Sequence, residues 1–499
     1  MKIIKHTVIV AIIALLSRVI GFLREAIIAN QLGVSGSADA VYLALTVPNI
    51  FQFVIGAAVA NSIIPVLAKN KKTTANNKVF SNVIIFMTIF ISILCGIILL
   101  FLDEFLLIIA PDLPVATRGF AKEIIIIVLP ASVFIAISSV FRQILQMEEK
   151  VLMANIGQIT MNAIVILIMI ILAPTISGAY SLMYGMIIGS FITMFTQYIY
   201  LRKNEYRLVF NELSVMHTKE VFYNAGTVMI GLFLNQLYTI TNRILASGLQ
   251  EGSIAALSYS EKVIQLPLGV LAQSLGMVIY PILAKYASSG KNKELNKLLI
   301  SSLKLVLLSS LPISILLIIY SDSIIIILFG RGAFDQNAIY MTSLALKMFS
   351  LMLVAQSLIL IFTRFYYAIQ KPKVPVYSIA LTVIINIILS IYFKNIYSFS
   401  GIALANTISM LFNALYMLLI MKKYGISISY SSIIEGSKYF INLLVFLLYA
   451  IYIKRLIFID VFYFDFIIKI LFVICLYILS ILFLERKVIK KYFNRKFNE

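Results

Sequence analysis

Long apolar segments separated by short polar loops run through the whole chain. A helix needs roughly 20 apolar residues to cross a bilayer, and on that basis the chain contains about fourteen candidate spans. They lie near residues 7–30, 38–68, 79–102, 121–146, 151–173, 177–201, 219–247, 253–284, 298–320, 338–369, 374–393, 400–421, 434–453 and 462–484. The pattern therefore predicts an all-α polytopic membrane protein.

The sequence also repeats itself at a spacing of about 220 residues. Residues 64–69 recur as residues 280–285, and single positions match as Pro48 with Pro267, Arg24 with Arg243 and Arg142 with Arg364. An even number of spans separates the copies, so both halves keep the same orientation. We expect two pseudo-symmetric six-helix bundles at residues 1–210 and 211–425. Two extra transmembrane helices and a basic cytoplasmic tail follow at residues 426–499.

Composition and charge agree with a membrane protein. Hydrophobic residues make up 61% of the chain and charged residues 12%, with a net charge of +20. The Lys and Arg residues are concentrated in alternate loops, and the positive-inside rule then predicts cytoplasmic N- and C-termini. These basic residues are distributed over many short loops and do not form the continuous basic face that a nucleic-acid-binding protein needs. We therefore expect no nucleic-acid partner.

Charged residues within the first two spans indicate a functional site. A charge at the centre of an inserted helix costs on the order of 2.5–3.5 kcal/mol, so Arg18, Arg24 and Glu25 are expected to face the bundle interior or a wet cavity. Glu25 follows Arg18 by two helical turns, so these two are one candidate ion pair, leaving Arg24 for ligand contact. Asp39 lies at the start of the second span. A helix-capping role and a gating role are both consistent with that position.

The second half supplies matching candidates. Glu261 and Lys262 lie in the eighth span and Arg243 in the seventh. Converging cations suit a diphosphate group, because Arg offers a bidentate fork and Lys a point charge. Pairing of Arg243 with Glu261, or anchoring near the outer surface, is the alternative for that residue.

Pro48 and Pro267 interrupt spans 2 and 8, which predicts bends at matched positions. Such bends suit a gate, although simple packing accommodates them equally well. Arg142 and Arg364 lie near the inner ends of their spans, where snorkelling to the interface explains them.

Motifs for catalysis and metal binding are not found in the sequence. It has no P-loop, HExxH, GxSxG or paired-Cys motif, and its two His residues have no partner at ligand spacing. We therefore expect no enzyme activity, no cofactor and no metal. Transport against a gradient would draw on the membrane potential or a cation gradient.

Several motifs together resemble the MurJ (MviN) lipid II flippase family of the MOP exporter superfamily. They are residues 16–25 (LSRVIGFLRE), 36–40 (GSADA), 47–49 (VPN), 260–262 (SEK), 266–270 (LPLGV), 329–334 (FGRGAF), 364–368 (RFYYA), 371–376 (KPKVPV) and 401–405 (GIALA). The resemblance covers about residues 6–425. Arg18, Arg24 and Asp39 match functional family positions directly.

The resemblance implies a fourteen-span flippase of the bacterial inner membrane. Such a protein carries lipid II, an undecaprenyl-diphosphate-linked peptidoglycan precursor, to the outer leaflet by alternating access. The membrane lipids around it would be its other partners. A cationic central cavity would bind the diphosphate and sugar head, with a groove near spans 13 and 14 for the lipid tail.

Two departures from the family bear on the cargo and the ion. Gln52 stands where the family has Arg, and Glu261-Lys262 where it has Asp-Arg. Arg18, Arg24, Lys262, Arg243 and Gln52 are the expected substrate-binding set, and Glu25, Asp39, Glu261, Pro48 and Pro267 the cavity and gate set. A sodium site of some members would fall on Asn242, Asn386 and Ser390, without a carboxylate.

Three other functions were weighed against this one from the sequence. The chain could export another lipid-linked saccharide, such as a capsule or teichoic-type unit, and Gln52 keeps that alternative open. An ion-coupled multidrug antiporter of the same superfamily should present buried carboxylates, whereas the candidates here are mainly cations. A membrane glycosyltransferase would need paired carboxylates or a catalytic His in a sizeable outer loop, and the longest outer segment, residues 103–122, is short and carries no such set.

Overall fold

A computed structural model describes residues 2–69, 74–209, 218–424, 430–456 and 462–484, which are helical with short turns and contain no strand. The predicted all-α fold class is confirmed. The α-helices of these residues are α1 Lys2–Leu32, α2 Gly36–Ala44, α3 Thr46–Ile50, α4 Ala57–Lys69, α5 Thr74–Leu100, α6 Leu102–Ile109, α7 Val115–Met147, α8 Val151–Leu172, α9 Gly178–Lys203, α10 Lys219–Ser247, α11 Ser253–Leu268, α12 Ser274–Ser288, α13 Asn292–Ile319, α14 Ser321–Phe329, α15 Gln336–Phe349, α16 Met352–Ala368, α17 Lys373–Met421, α18 Tyr430–Leu456 and α19 Phe462–Leu484.

The chain is a multi-pass membrane protein. Eight helical segments of the described residues are long and apolar enough to span a bilayer, or nine if α15 and α16, bent by 43° at their junction, form one span. Helix α17 is broken at Ser398, whose φ is 54°. That break falls between the predicted spans at residues 374–393 and 400–421. The full count of fourteen stays a prediction.

Helix α5 shows how such a span divides its two sides. Ile89, Ile93 and Ile97 recur at four-residue spacing and are exposed, whereas Met87 and Ile91 are buried. Four-residue spacing places side chains on one face of a helix. This span therefore presents one apolar stripe outward, as expected for contact with lipid tails, and packs with the opposite stripe.

Two compact units can be distinguished by their internal contacts. The first comprises Met1–Lys262, Phe329–Thr342 and Ile379–Ala405, and the second Val263–Leu328, Ser343–Ser378 and Asn406–Glu499. These contacts do not test the predicted bundles at 1–210 and 211–425 or the C-terminal segment 426–499. Those boundaries stay predictions.

In the first unit, α7, α8 and α9 form the most extensively packed group. Gly189 on α9 lies so close to α8 that a Cβ would meet the Met161 carbonyl oxygen at 3.0 Å, and Gly185 approaches Val165 similarly. Small residues allow this close approach of membrane helices.

The second unit has two apolar clusters. One is built around buried residues of α12, α13, α16 and α17, including Leu299, Phe365 and Met417. The other includes Tyr320, Phe446 and Val473 and joins α18 and α19 to the end of α13. The Tyr320 hydroxyl donates to the Ala450 carbonyl oxygen at 3.1 Å. The last two helices therefore pack as part of this unit.

A π-helical segment follows each of the two matched prolines. Pro48 precedes the π segment Phe51–Gly56, and Pro267 precedes the π segment Gly269–Gln273. Proline removes a backbone donor and prevents regular α-helical bonding around it, and π segments accommodate such disruptions. Both helices therefore leave the α form near the predicted positions, whereas a gating role for either proline stays a prediction.

Candidate functional site

Glu25 on α1 is the centre of a buried polar cluster in the first unit. Its side chain is 4% exposed, and its Oε1 lies 2.6 Å from Arg24 Nη2. Arg24 Nη1 donates to Asn162 Oδ1 on α8 at 3.0 Å. Neighbouring side chains on a helix do not normally face each other, so the long Arg24 side chain must bend across to reach both partners. The result is a charge-assisted network that joins α1 to α8.

Lys262 on α11 adds a second cation. Its Nζ lies 4.0 Å from Glu25 Oε1, and its side chain is 46% exposed. The single negative charge of Glu25 therefore neutralises one of its two cationic neighbours, and the cluster of these three residues has a net charge of one positive unit. Arg24 Nε is also buried without a hydrogen-bond partner. A cluster with excess positive charge and an unused donor is suited to an anionic ligand.

Tyr42 on α2 connects this cluster to α10. The Tyr42 hydroxyl donates to Glu25 Oε2 at 2.8 Å, and Arg243 Nη1 donates to the Tyr42 carbonyl oxygen at 2.6 Å. The Tyr42 ring meets the ring of Tyr259 edge-on, with 5.4 Å between centroids. Arg24, Lys262 and Arg243 are thus brought to the same two residues, although Arg243 binds the backbone and does not touch Glu25.

Two alternative pairings from the sequence are not found in the structure. The partners of Glu25 among the described residues are Arg24, Tyr42 and Lys262, so the Arg18–Glu25 pair is wrong. Adjacent Arg24 reaches the carboxylate first. Arg18 itself is half-buried on α1. Arg243 and Glu261 form no ion pair within 4.0 Å among the described residues, although their charges interact at longer range, and Arg243 donates its hydrogen bond to the Tyr42 carbonyl oxygen.

Asp39 caps a helix that begins more than two hundred positions later in the chain. It is 4% exposed. Its Oδ2 accepts from the Gly252 backbone N–H and its Oδ1 from that of Ala255, both at 2.7 Å. These donors lie at the start of α11, whose first backbone N–H groups have no partner within the helix. Asp39 thus acts as a helix cap, but the helix that it caps is α11 and not its own helix α2.

Two glycines close the turns around this cap. Gly252 has φ +86° and Gly332 has φ +60°, and both are crowded. A Cβ would come within 3.0 Å of Val34 at position 252 and of the Asn30 carbonyl oxygen at position 332. Residues other than glycine adopt such backbone angles only with strain. The end of α1 and the turns before α11 and α15 are therefore packed together tightly.

The remaining predicted residues lie elsewhere. Gln52 is in the first π segment and lines a cavity together with Arg142. Asn386 and Ser390 are one turn apart on α17 and fully buried, and Asn242 lies on α10. Glu261 precedes Lys262 on α11. No group of three or more His, Cys, Asp or Glu side chains that could hold a metal occurs among the described residues. A cation site at Asn242, Asn386 and Ser390 stays a prediction.

Tyr42, Asn162 and Tyr259 were not predicted from the sequence. Tyr and Asn are common in membrane helices, and nothing in their spacing marks them. Only the fold shows that Asn162, on α8, meets Arg24. The polar character of Asn162 inside an otherwise apolar helix was the one available signal.

Tyr42→Phe should destabilise the protein more than Tyr259→Phe. Tyr42 donates to a buried carboxylate, and a hydrogen bond to a charged group contributes about 1.5–3 kcal/mol. The Tyr259 hydroxyl donates to the neutral Gly33 carbonyl oxygen at 3.1 Å, and such a bond contributes about 0.5–1.5 kcal/mol. Thermal unfolding of both purified variants measures the difference, and equal losses of Tm would contradict the role given to Glu25.

Comparison with known proteins identifies the family. A family model described as "Lipid II flippase MurJ" matches residues 28–477. The "Probable lipid II flippase MurJ" of Buchnera aphidicola subsp. Schizaphis graminum is 29% identical over 441 residues, 85% of this chain and 84% of that protein. The "Lipid II flippase MurJ" of Burkholderia cenocepacia is 25% identical over 425 residues, 83% of this chain and 82% of that protein.

Solved structures agree. The structure titled "Lipid II flippase MurJ, inward closed conformation" matches with a TM-score of 0.86 and 25% identity, covering 97% of this chain and 100% of that one. An inward-facing multidrug resistance MATE transporter of the MOP superfamily matches with a TM-score of 0.65 and 13% identity, covering 83% of this chain and 98% of that one, which shows a shared fold alone. This chain belongs to the lipid II flippase MurJ family.

Proposed function

We propose that this chain moves lipid II from the inner to the outer leaflet of a bacterial inner membrane by alternating access. The observation that carries the proposal is the cluster of Arg24, Glu25 and Lys262 within membrane helices of a MurJ family member. Arg24 presents a buried, unused Nε and Lys262 a half-exposed ammonium. These groups would bind the diphosphate, and Arg18, Arg243 and Gln52 would complete the substrate-binding set.

Asp39, Glu25, Glu261 and the two matched prolines would shape the cavity and its gate. In this proposal the chain carries out transport without chemical catalysis and needs no cofactor. Its energy would come from the membrane potential or a cation gradient, and both termini would lie in the cytoplasm. The Asn242, Asn386 and Ser390 set would be the first place to look for a coupling cation.

Export of another undecaprenyl-diphosphate-linked saccharide is the second candidate. The observation that favours it is Gln52, which makes the predicted substrate-binding set less basic. A multidrug antiporter is less consistent with the site, because the most exposed charged group beside Glu25 is the cation Lys262.

The proposal is tested in bacterial cells depleted of their own lipid II flippase. We expect cells expressing this chain to expose labelled lipid II to a cleaving enzyme added outside, and to resume growth. A chain that is inserted in the membrane but exposes no lipid II would contradict the proposal. The same assay with a labelled capsule or teichoic-type precursor then distinguishes the second candidate.

A further inference from the structure

A cavity with about 20 Å³ of room for the centres of water-sized atoms lies inside the first unit, between α7, α8, α9 and the π segment Phe51–Gly56. Eight of its eleven lining residues are polar or charged. Arg142 is the one residue in this lining with a formal charge, and no carboxylate lines it. The cavity therefore has a net positive charge and a wall of mixed polar and apolar surface within helices that cross the membrane.

The hydroxyl groups of the cavity wall are already used as donors. Four Ser and Thr side chains line it, and each donates its proton to an oxygen of the protein. Ser138 donates to Gln197 Oε1 at 2.7 Å, Ser139 to the Ile135 carbonyl oxygen at 3.1 Å, Ser190 to that of Ile187 at 2.9 Å and Thr193 to that of Gly157 at 3.2 Å. Their hydroxyls are thereby held in fixed positions, and other groups must supply donors for a ligand.

The unused donors of the cavity are one guanidinium and three amides. Arg142, Gln52 and Gln158 make no side-chain hydrogen bond or ion pair with the described residues, although each lines the cavity. Gln197 accepts from Ser138 through Oε1, which leaves its amide N–H groups to donate. A ligand that accepts several hydrogen bonds is therefore the natural partner of this wall.

Gly157 leaves room for the Gln197 amide. A Cβ at position 157 would lie within 3.0 Å of Gln197 Nε2 and would collide with it. Gly157 is buried, and its carbonyl oxygen also accepts from Thr193. The glycine thus lets α8 and α9 approach closely enough for the amide to reach the cavity.

An unpaired Arg inside a membrane protein requires compensation. A buried ion without a partner costs several kcal/mol, whereas water or a counter-ion in the cavity offsets that cost. Arg142 lies five residues before the end of α7, or about 7.5 Å along the helix axis. Its side chain lines the cavity, as that of Gln52 does.

We propose that this cavity binds a small oxyanion of the phosphate class through Arg142, with the amides of Gln52, Gln158 and Gln197 as further donors. The planar guanidinium fork matches two oxygens of such an anion and gives a bidentate contact that a spherical halide cannot form. The phosphate group comes either from free phosphate or from a lipid-linked molecule. Gln52 also belongs to the predicted substrate-binding set, so the lipid-carried alternative rests on the proposed function, whereas binding of free phosphate does not.

Thermal unfolding of the purified full-length protein in neutral detergent tests this site. The probes are inorganic phosphate and farnesyl phosphate, each compared with chloride at equal ionic strength. A ligand that binds only the folded state raises its Tm with concentration. We expect millimolar phosphate or farnesyl phosphate to raise the Tm of the wild type and of Arg364→Gln, and to leave that of Arg142→Gln unchanged.

Arg364 is the matched control because it holds the corresponding position in the second repeat and lies outside the cavity, over the Tyr280 ring. Gln158→Met keeps the net charge of the cavity and the approximate volume of the side chain but removes an amide donor, so it should weaken phosphate binding several-fold. This second variant keeps the test valid if Arg142→Gln does not fold. A response to inorganic phosphate indicates a freely exchanging anion, and a response to farnesyl phosphate alone indicates a lipid-carried one.

Three results would overturn the proposal. They are no response to either phosphate probe, an equal response to chloride, or an undiminished response in Arg142→Gln. The measurement uses no flipping assay. A negative result therefore contradicts the anion site alone, and it can be distinguished from a chain that exposes no lipid II.

Discussion

Arg24→Ala should abolish exposure of lipid II in the complemented cells while the protein still reaches the membrane. Truncating one partner of a buried, hydrogen-bonded charge pair costs about 2–5 kcal/mol. We therefore expect transport to fall by about 30-fold or more, the equivalent of at least about 2 kcal/mol. Arg364→Ala, which removes a cation from another membrane helix, should leave lipid II exposure near that of the wild type.

A structural effect of Arg24→Ala must be separated from a loss of ligand contact. The single change removes the closest partner of a carboxylate that is 4% exposed. The double variant Arg24→Ala/Glu25→Ala removes both charges and should recover part of the lost stability, because no unpaired carboxylate remains. Lipid II exposure should stay lost in the double variant. Its return would assign Arg24 to folding and contradict its role in binding the diphosphate.

Asp39→Ala should lower stability far more than removal of an ordinary helix cap. It leaves the Gly252 and Ala255 backbone N–H groups without their acceptor in a buried place. Each stranded donor costs about 1–3 kcal/mol, so we expect the two together to cost about 2–6 kcal/mol. Asn at position 39 should recover part of this, because its one oxygen can accept from one of the two donors.

Asp335→Ala is the matched control for this cap. Asp335 Oδ1 accepts from the Ala338 backbone N–H at the same 2.7 Å, but Asp335 is exposed and caps its own helix. Water can replace an exposed cap, so its loss should cost about 1 kcal/mol or less. The chain has no Trp, so far-UV circular dichroism is the suitable probe of unfolding. An equal fall of Tm in both variants would contradict the coupling of Asp39 to α11.

The sequence predicted the fold class and the charged part of the site, because charge inside an apolar span is visible without a structure. Arg24, Glu25 and Lys262 were found in this way, and the structure brings them together. The helix break at Ser398 was also predicted, as a gap between two apolar segments. What the sequence could not supply was the direction of side chains, and so its one candidate pair joined Glu25 to Arg18 instead of to its neighbour Arg24.

The cavity around Arg142 is a second feature that the sequence did not predict. An Arg near the end of a span is typical of snorkelling, and its sequence position favours that interpretation. The cavity depends on a π segment at Gln52 and on the close approach of α8 and α9 at Gly157, and no periodicity in the chain predicts either. Polar groups that are unremarkable one by one form a site only when four helical elements meet.

The cap that Asp39 provides has an evolutionary consequence. Its partners are main-chain amides, so no side chain at position 255 has to match a change at position 39. Substitutions at 255 are limited by the burial of Ala255 and by the loss of the donor in proline, and those at 252 by its own φ of +86° and by Val34, so neither limit depends on the residue at position 39. This contact between distant segments should therefore leave no correlated substitutions among homologues, and coevolution would miss it.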